Sequence, residues 1–280
     1  MTIRPVREAT PLHLHDVASD AVMLAGGGCA ILLQLAHPAI GHGVAAHSDF
    51  VERPLDRLHG TLDYLYALAY GDQLEQEEVV RRVNHAHAPV RGETGHGIPS
   101  YSAFDPELQL WVAATMYYAA AEVYERVFGA LDEASADAMY REYAELGTRL
   151  QMPPGLWPVD RSAFVVYWNT GLAALSTDAT TRSVARMLLH PRHVPFWLRS
   201  IMPVIRFVTI GLLPAPVREL YGFSWTPGRQ RAFDRVTQVT AVVYPRLPRR
   251  LRQWPRNHVL RRLRRSLPRT LVGTNTEKVA

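Results

Sequence analysis

The chain is poor in cysteine and lysine. Cys29 is the one cysteine in 280 residues, which excludes an internal disulfide framework and a cysteine-rich zinc site. That usage fits a reducing compartment, and any bound metal would draw much of its ligation from histidine. Lys278 is the one lysine. A phosphate-cradling loop of the Gly-Lys-Ser/Thr type is therefore excluded at Gly26-Gly27-Gly28, which reads as a tight turn with close packing, or as close approach to a flat cofactor. Sustained strand alternation is missing, so a dinucleotide-binding sheet has no support. The N-terminus, MTIRPVREATPLHLHD, lacks the charged-then-apolar layout of an export signal, and a cytoplasmic location is expected. No run of about 20 apolar residues is free of charge. The best candidate, Phe196 to Leu213, is interrupted by Arg199, Pro203 and Arg206 and reads as a buried or interfacial helix.

Acids are missing from one long stretch. Between Arg246 and Arg269 stand ten arginines and no Asp or Glu, leaving 21 basic against 26 acidic residues elsewhere. The body is thus mildly acidic and the C-terminal segment strongly basic. Its run PRLPRRLRQWPRNHVLRRLRRSLPR interleaves arginine with Leu251, Trp254, Val259, Leu260, Leu263 and Leu267. A solvated helix with arginine stems packed on the body, an anionic membrane surface and a nucleic acid remain open as readings. Nucleic acid is the least expected, because no DNA- or RNA-binding module accompanies the run.

What is present is helical periodicity over a chain that is 48% hydrophobic. Leu55, Leu58, Leu62, Leu65 and Ala69 recur at the spacing of one helix face, closed by Gly71. Glu75 to Val90 repeats the pattern through Val79, Val83 and Val90. Asp105-Pro106-Glu107 reads as an N-cap opening a helix to about Phe128. Leu131 to Leu150, Arg161 to Leu175 and Thr180 to His190 read as further helices. The expected fold is all-α, a single globular domain over residues 21–248 with an N-terminal extension (1–20) and a basic C-terminal appendage (249–280).

Three chemical features stand out. His37, His42 and His47 are five apart and would fan around a continuous helix, while Pro38, Gly41 and Gly43 predict that the helix breaks there. His87 falls on the apolar face with Val83 and Val90, and a buried imidazole needs a partner: a carbonyl, or a metal such as a haem iron, which asks the protein for only one or two axial ligands. Arg57 and Thr61 share a helix face that Tyr64 continues, with Gly60 leaving space beside them. That face suits a haem propionate, bound dioxygen or a polar substrate atom. The plain alternative pairs Arg57 with Glu52 or Asp56 at the surface.

The motifs GGGCAILLQLAHPAIGHGVAAHSDF, RLHGT, AYGD, HAPVRG, YSAFDPELQLWVAAT and LLPAPVRELYGFSW, in that order, resemble the MpaB-type oxygenase family, which includes the rubber oxygenase known as latex clearing protein. The resemblance spans roughly Ala21 to Pro248 and implies a globin-like helical core holding haem b. It implies His87 as the proximal iron ligand, Arg57 and Thr61 on the other side of the haem, and His37, His47 and Arg91 among the cofactor-binding residues. Its implied activity is oxidation or cleavage of a small apolar, alkene-like substrate by dioxygen, with an electron donor as a further partner. Two departures mark this chain. Gly60 stands where rubber oxygenases carry a lysine that can cap the distal iron, and Ala113 stands where many members have histidine in W-V-H-A-T. A non-catalytic haem-binding or sensing protein, a peripheral membrane protein, and a non-haem iron site built from His37, His47 and His87 stay open as alternatives.

Overall fold

The computed structural model describes residues 11–47, 54–94, 100–191 and 194–267. The expected all-α architecture is what forms. A short α1 (Leu14–Ala18) and a 3-10 turn (Ala21–Gly26) lead into α2 (Gly27–Leu35) and α3 (Pro38–His47). A hairpin follows, α4 (Pro54–Tyr70) and α5 (Gln73–His87). The two-residue strands β1 (Arg91–Gly92) and β2 (Tyr101–Ser102) pair antiparallel, a pairing too short to register as strand alternation in the sequence. The central helix is α6 (Pro106–Phe128), followed by α7 (Glu133–Tyr143), α8 (Glu145–Thr148), α9 (Arg161–Ala174) and α10 (Ala179–Leu189). Last come α11 (Phe196–Leu212), α12 (Ala215–Leu220), α13 (Pro227–Val243), α14 (Arg249–Arg252) and α15 (Trp254–Ser266).

The caps written in the sequence position the elements. Asp105 accepts from the backbone of Glu107 and Leu108 and fixes the start of α6. Asp72 and Glu75 form a capping box at the start of α5. Helix α6 then runs through the core against α2, α7, α8, α11 and α13. Two side-chain bonds seat α2 on it: Trp111 Nε1 donates to the Leu33 carbonyl at 3.3 Å, and Gln34 Nε2 donates to the buried Thr115 hydroxyl at 3.0 Å. Gly26 and Gly28 are packing glycines, since a Cβ would come within 3.0 Å of the Ala119 carbonyl oxygen and 2.2 Å of the Thr209 hydroxyl.

Several expectations are corrected. The break at the histidine cluster falls at His37-Pro38 alone, and α3 runs unbroken through Gly41 and Gly43. Both glycines serve contact: a Cβ on Gly41 would meet the Leu35 carbonyl oxygen at 2.4 Å, and one on Gly43 the Tyr101 ring at 3.1 Å. The single helix expected over 131–150 is two, α7 and α8. Leu58 is 47% exposed and leaves the core stripe of α4, whose described buried residues are Tyr64, Tyr66 and Ala67. The stripe failed because α4 serves two neighbours: Tyr64 and Ala67 face the main core, while Leu62 and Tyr66 pack with Val259 and Leu260 of α15. The arginines of α15 find carboxylates on the body, Arg262 with Asp63 and Arg264 with the buried Glu75.

Candidate functional site

Helix α5 carries His87 as its last residue, and Pro89 explains why: it has no backbone N–H to donate back to the His85 carbonyl and continue the ladder. The chain turns at once, with the Val90 N–H donating to the His87 carbonyl at 2.9 Å, and enters β1. One turn earlier, Asn84 is tied by its side-chain oxygen to Gln151 Nε2 (2.8 Å), and Gln151 is tied through Gln109 to the Ala103 carbonyl. This chain of amides braces the His87 end of α5 against the start of α6.

The His87 ring is half-buried beside Phe104, with centroids 6.4 Å apart, and its Nδ1 is buried without a hydrogen-bond partner among the described residues. Burial, then the nearby Arg57 cation, lower its pKa from the ordinary 6.5 to about 4. The imidazole is therefore neutral at physiological pH and keeps a lone pair available for ligation. Arg57 reaches the same region from α4. Its side chain is accessible to solvent, yet burial lowers its pKa as well. The two observations agree if the guanidinium lines a concavity, open to small molecules and walled by protein on most sides.

His37, at the corner between α2 and α3, is the second imidazole with a buried, unpartnered Nδ1. It lies against Trp111 with ring centroids 6.4 Å apart. Burial lowers its pKa, and Asp105, at the start of α6, partly opposes that. His37, His87, Phe104 and Trp111 thus gather around the N-terminal end of α6, with Arg57 near enough for its charge to act on His87.

The other expected residues are distributed differently. Thr61 is exposed, and its hydroxyl donates to the Arg57 carbonyl at 3.1 Å. Tyr64 is buried and donates to the Leu146 carbonyl at 2.7 Å, so its phenol is spent in the core. His47 is exposed at the end of α3, 3.3 Å from the Tyr101 hydroxyl of β2. Arg91 is exposed on β1, in register with Ser102. His42 leaves the group altogether and pairs with Asp178, the N-cap of α10, at 2.9 Å. Glu52, one partner considered for Arg57, and the side chain of Asp56 lie outside the described residues. Among the described residues no three His, Cys, Asp or Glu side chains come together as a metal-binding group. A set built from His37, His47 and His87 is thus not formed.

Three contributors escaped the sequence reading: Phe104, Trp111 and the Asn84–Gln151–Gln109 chain. Phe104 had a local signal, an apolar residue immediately before the N-cap Asp105. The amide chain had none, because its members come from three separate segments.

The fold and the site define an all-α protein with a neutral imidazole near a cation at the head of its central helix. Residues 15–242 match the family model described as ER-bound oxygenase mpaB/B'/Rubber oxygenase, catalytic domain. This chain belongs to that family, and its catalytic domain is of the oxygenase type. It is 34% identical over 225 residues to the uncharacterized proteins Rv2237 of Mycobacterium tuberculosis and Mb2261 of Mycobacterium bovis, covering 79% of this chain and 88% of each relative. No solved structure matches the chain.

Proposed function

We propose that this protein is a haem b-dependent oxygenase that acts on a small apolar, alkene-like substrate. The observation that carries the reading is His87: a neutral ring with a buried, unpartnered nitrogen, on a helix end braced by the Asn84–Gln151–Gln109 chain and near a cation. A lone imidazole suits a porphyrin, which brings four nitrogens of its own. The residues present fit the group. Nothing lies within 4 Å of a Cβ built on Gly60, so the neighbourhood of Arg57 and Thr61 offers room. His87 would hold the iron, with His37 and Arg57 beside the macrocycle and His47 and Arg91 at its solvent side. The haem, when bound, supplies the iron centre at which dioxygen is reduced with electrons from a donor and passed to the substrate.

The chain's own residues have separate tasks. Arg57 stays cationic and would pair with an anionic group of the cofactor, such as a propionate. Thr61 has committed its proton to the Arg57 carbonyl, so it presents lone pairs and acts as an acceptor unless its hydroxyl rotates. Phe104 and Trp111 supply apolar walls that limit water. A second reading, a haem-binding or sensing protein without turnover, is favoured by one observation: Ala113, in the family's histidine position, is buried in α6 with no polar group to offer.

Two measurements test this. The purified protein titrated with haem should give a Soret band at one haem per chain, and His87→Ala should lose it; a normal spectrum in that variant removes His87 as ligand. Dioxygen consumption with reductant and candidate alkenes then separates oxygenase from sensor.

A further inference from the structure

The strongest feature outside this site is an exposed apolar face made by α11 and α13. Contacts at both ends set their antiparallel arrangement. Near the end of α11, Gly211 leaves room for the buried Phe233 ring, at the start of α13. At the other end of α13, Tyr244 donates to Asp20 and accepts from the Val22 N–H in the 3-10 turn, against which α11 also packs. The core takes up part of their inner faces, through Thr209, Gly211 and Leu212 of α11 and Phe233 of α13.

Their outer faces are not covered. On α11, Trp197, Ile201 and Val204 follow the i, i+4, i+7 spacing of one stripe, with Phe196 beside them; on α13, Val236, Val239 and Val243 follow i, i+3, i+7. Phe196 is 83% exposed, Trp197 65%, Val204 60% and Val239 62%. Single exposed apolar residues are ordinary, but two adjacent stripes on packed helices are a contiguous patch.

Charge identifies the occupant. Residues 179–218, which include all of α11, contain no Asp or Glu, and neither do residues 235–276. Leaving α13, the chain exposes Leu247 and Leu251 among the exposed Arg246, Arg249 and Arg250. A second copy of the chain would bring the same cationic surface against this one. An apolar face carrying Trp and Phe, on two helices whose one acid is Asp234 (bonded to Gln230) against five arginines, matches an anionic bilayer surface. Among the described residues no single helix is long and apolar enough to span a membrane, so the helices would lie in the interface.

We propose that the α11–α13 face docks this protein monotopically on anionic lipid, with the apolar stripes among the acyl chains and the 246–250 arginines on headgroup phosphates. The proposal is independent of what the His87 site binds.

Sedimentation of the full chain with vesicles tests it. The wild type should bind phosphatidylcholine–phosphatidylserine vesicles and bind pure phosphatidylcholine more weakly. Trp197→Asp combined with Val239→Asp should weaken both by at least roughly tenfold, and Arg249→Gln with Arg250→Gln should weaken the anionic case alone, by roughly fivefold per arginine. All four positions are exposed, so melting temperatures should hold and show that the variants fold. Brominated lipid should quench tryptophan emission in the wild type, and less so in Trp197→Phe. Absence of vesicle binding overturns the proposal. So does binding that resists the aspartates, or a concentration-dependent dimer that the aspartates dissociate.

Discussion

At the level of single residues, the environment matters more than the residue type. Of the three evenly spaced histidines, His42 contacts the Asp178 carboxylate, His47 is an exposed neighbour of Tyr101, and His37 is a buried ring with an orphaned nitrogen. Spacing could not rank them, because the turn at His37-Pro38 separates the first from the other two. His87 was legible, since its place in an apolar helical stripe requires a partner for the imidazole. Its lowered pKa has a consequence for stability. Folded His87 titrates near 4 and the unfolded residue near 6.5, so protonation favours the unfolded chain. Its contribution is fully present above pH 6.5 and is lost as pH falls from there toward 4. In haem-free protein, urea unfolding at pH 7 and pH 5 should show the wild type losing about 1–2 kcal/mol more than His87→Leu. Equal losses would mean that the ring is already solvated.

At the level of elements, glycines separate packing from open space. Gly41 in α3 and Gly60 in α4 both sit inside helices, where glycine is normally unfavourable by about 0.5–1 kcal/mol relative to alanine. A Cβ at Gly41 would press on the Leu35 carbonyl oxygen, a backbone atom that cannot swing aside, and on the Thr181 methyl at 2.6 Å. Gly41→Ala should therefore cost about 1–3 kcal/mol. Gly60→Ala meets nothing and should stabilise the haem-free protein by about 0.5–1 kcal/mol, both read from denaturant midpoints at constant slope. The sequence alone offered the opposite expectation for Gly41, a helix breaker, because a glycine's reason for being there lies in the neighbour it faces. Boundaries marked by caps and prolines were legible: Asp105-Pro106 opens α6 and Gly71 follows the end of α4.

At the level of the whole molecule, the basic C-terminal segment is integrated with the body. Val259, Leu260 and Leu263 of α15 are buried, and Arg264 neutralises Glu75, which is only 2% exposed and also caps α5. Since α15 lies on α4, the helix that carries Arg57, removing residues 249–280 should lower the melting temperature and, under the haem proposal, weaken the Soret band with it. Loss of the three aliphatic contacts alone is on the order of 5 kcal/mol. An unchanged melting temperature would show that the segment is an appendage.

The sequence by itself determined the all-α class, most helix starts, the family and the singular position of His87. Those properties depend on period, capping chemistry and motif order, which are local along the chain. Only the tertiary structure decided that the Arg57 charge comes near His87, that Tyr64 is spent on Leu146, that α15 covers α4, and that α11 and α13 expose apolar stripes. Each of these is set by contacts between residues far apart in sequence, and no local pattern encodes which helix a given face will meet.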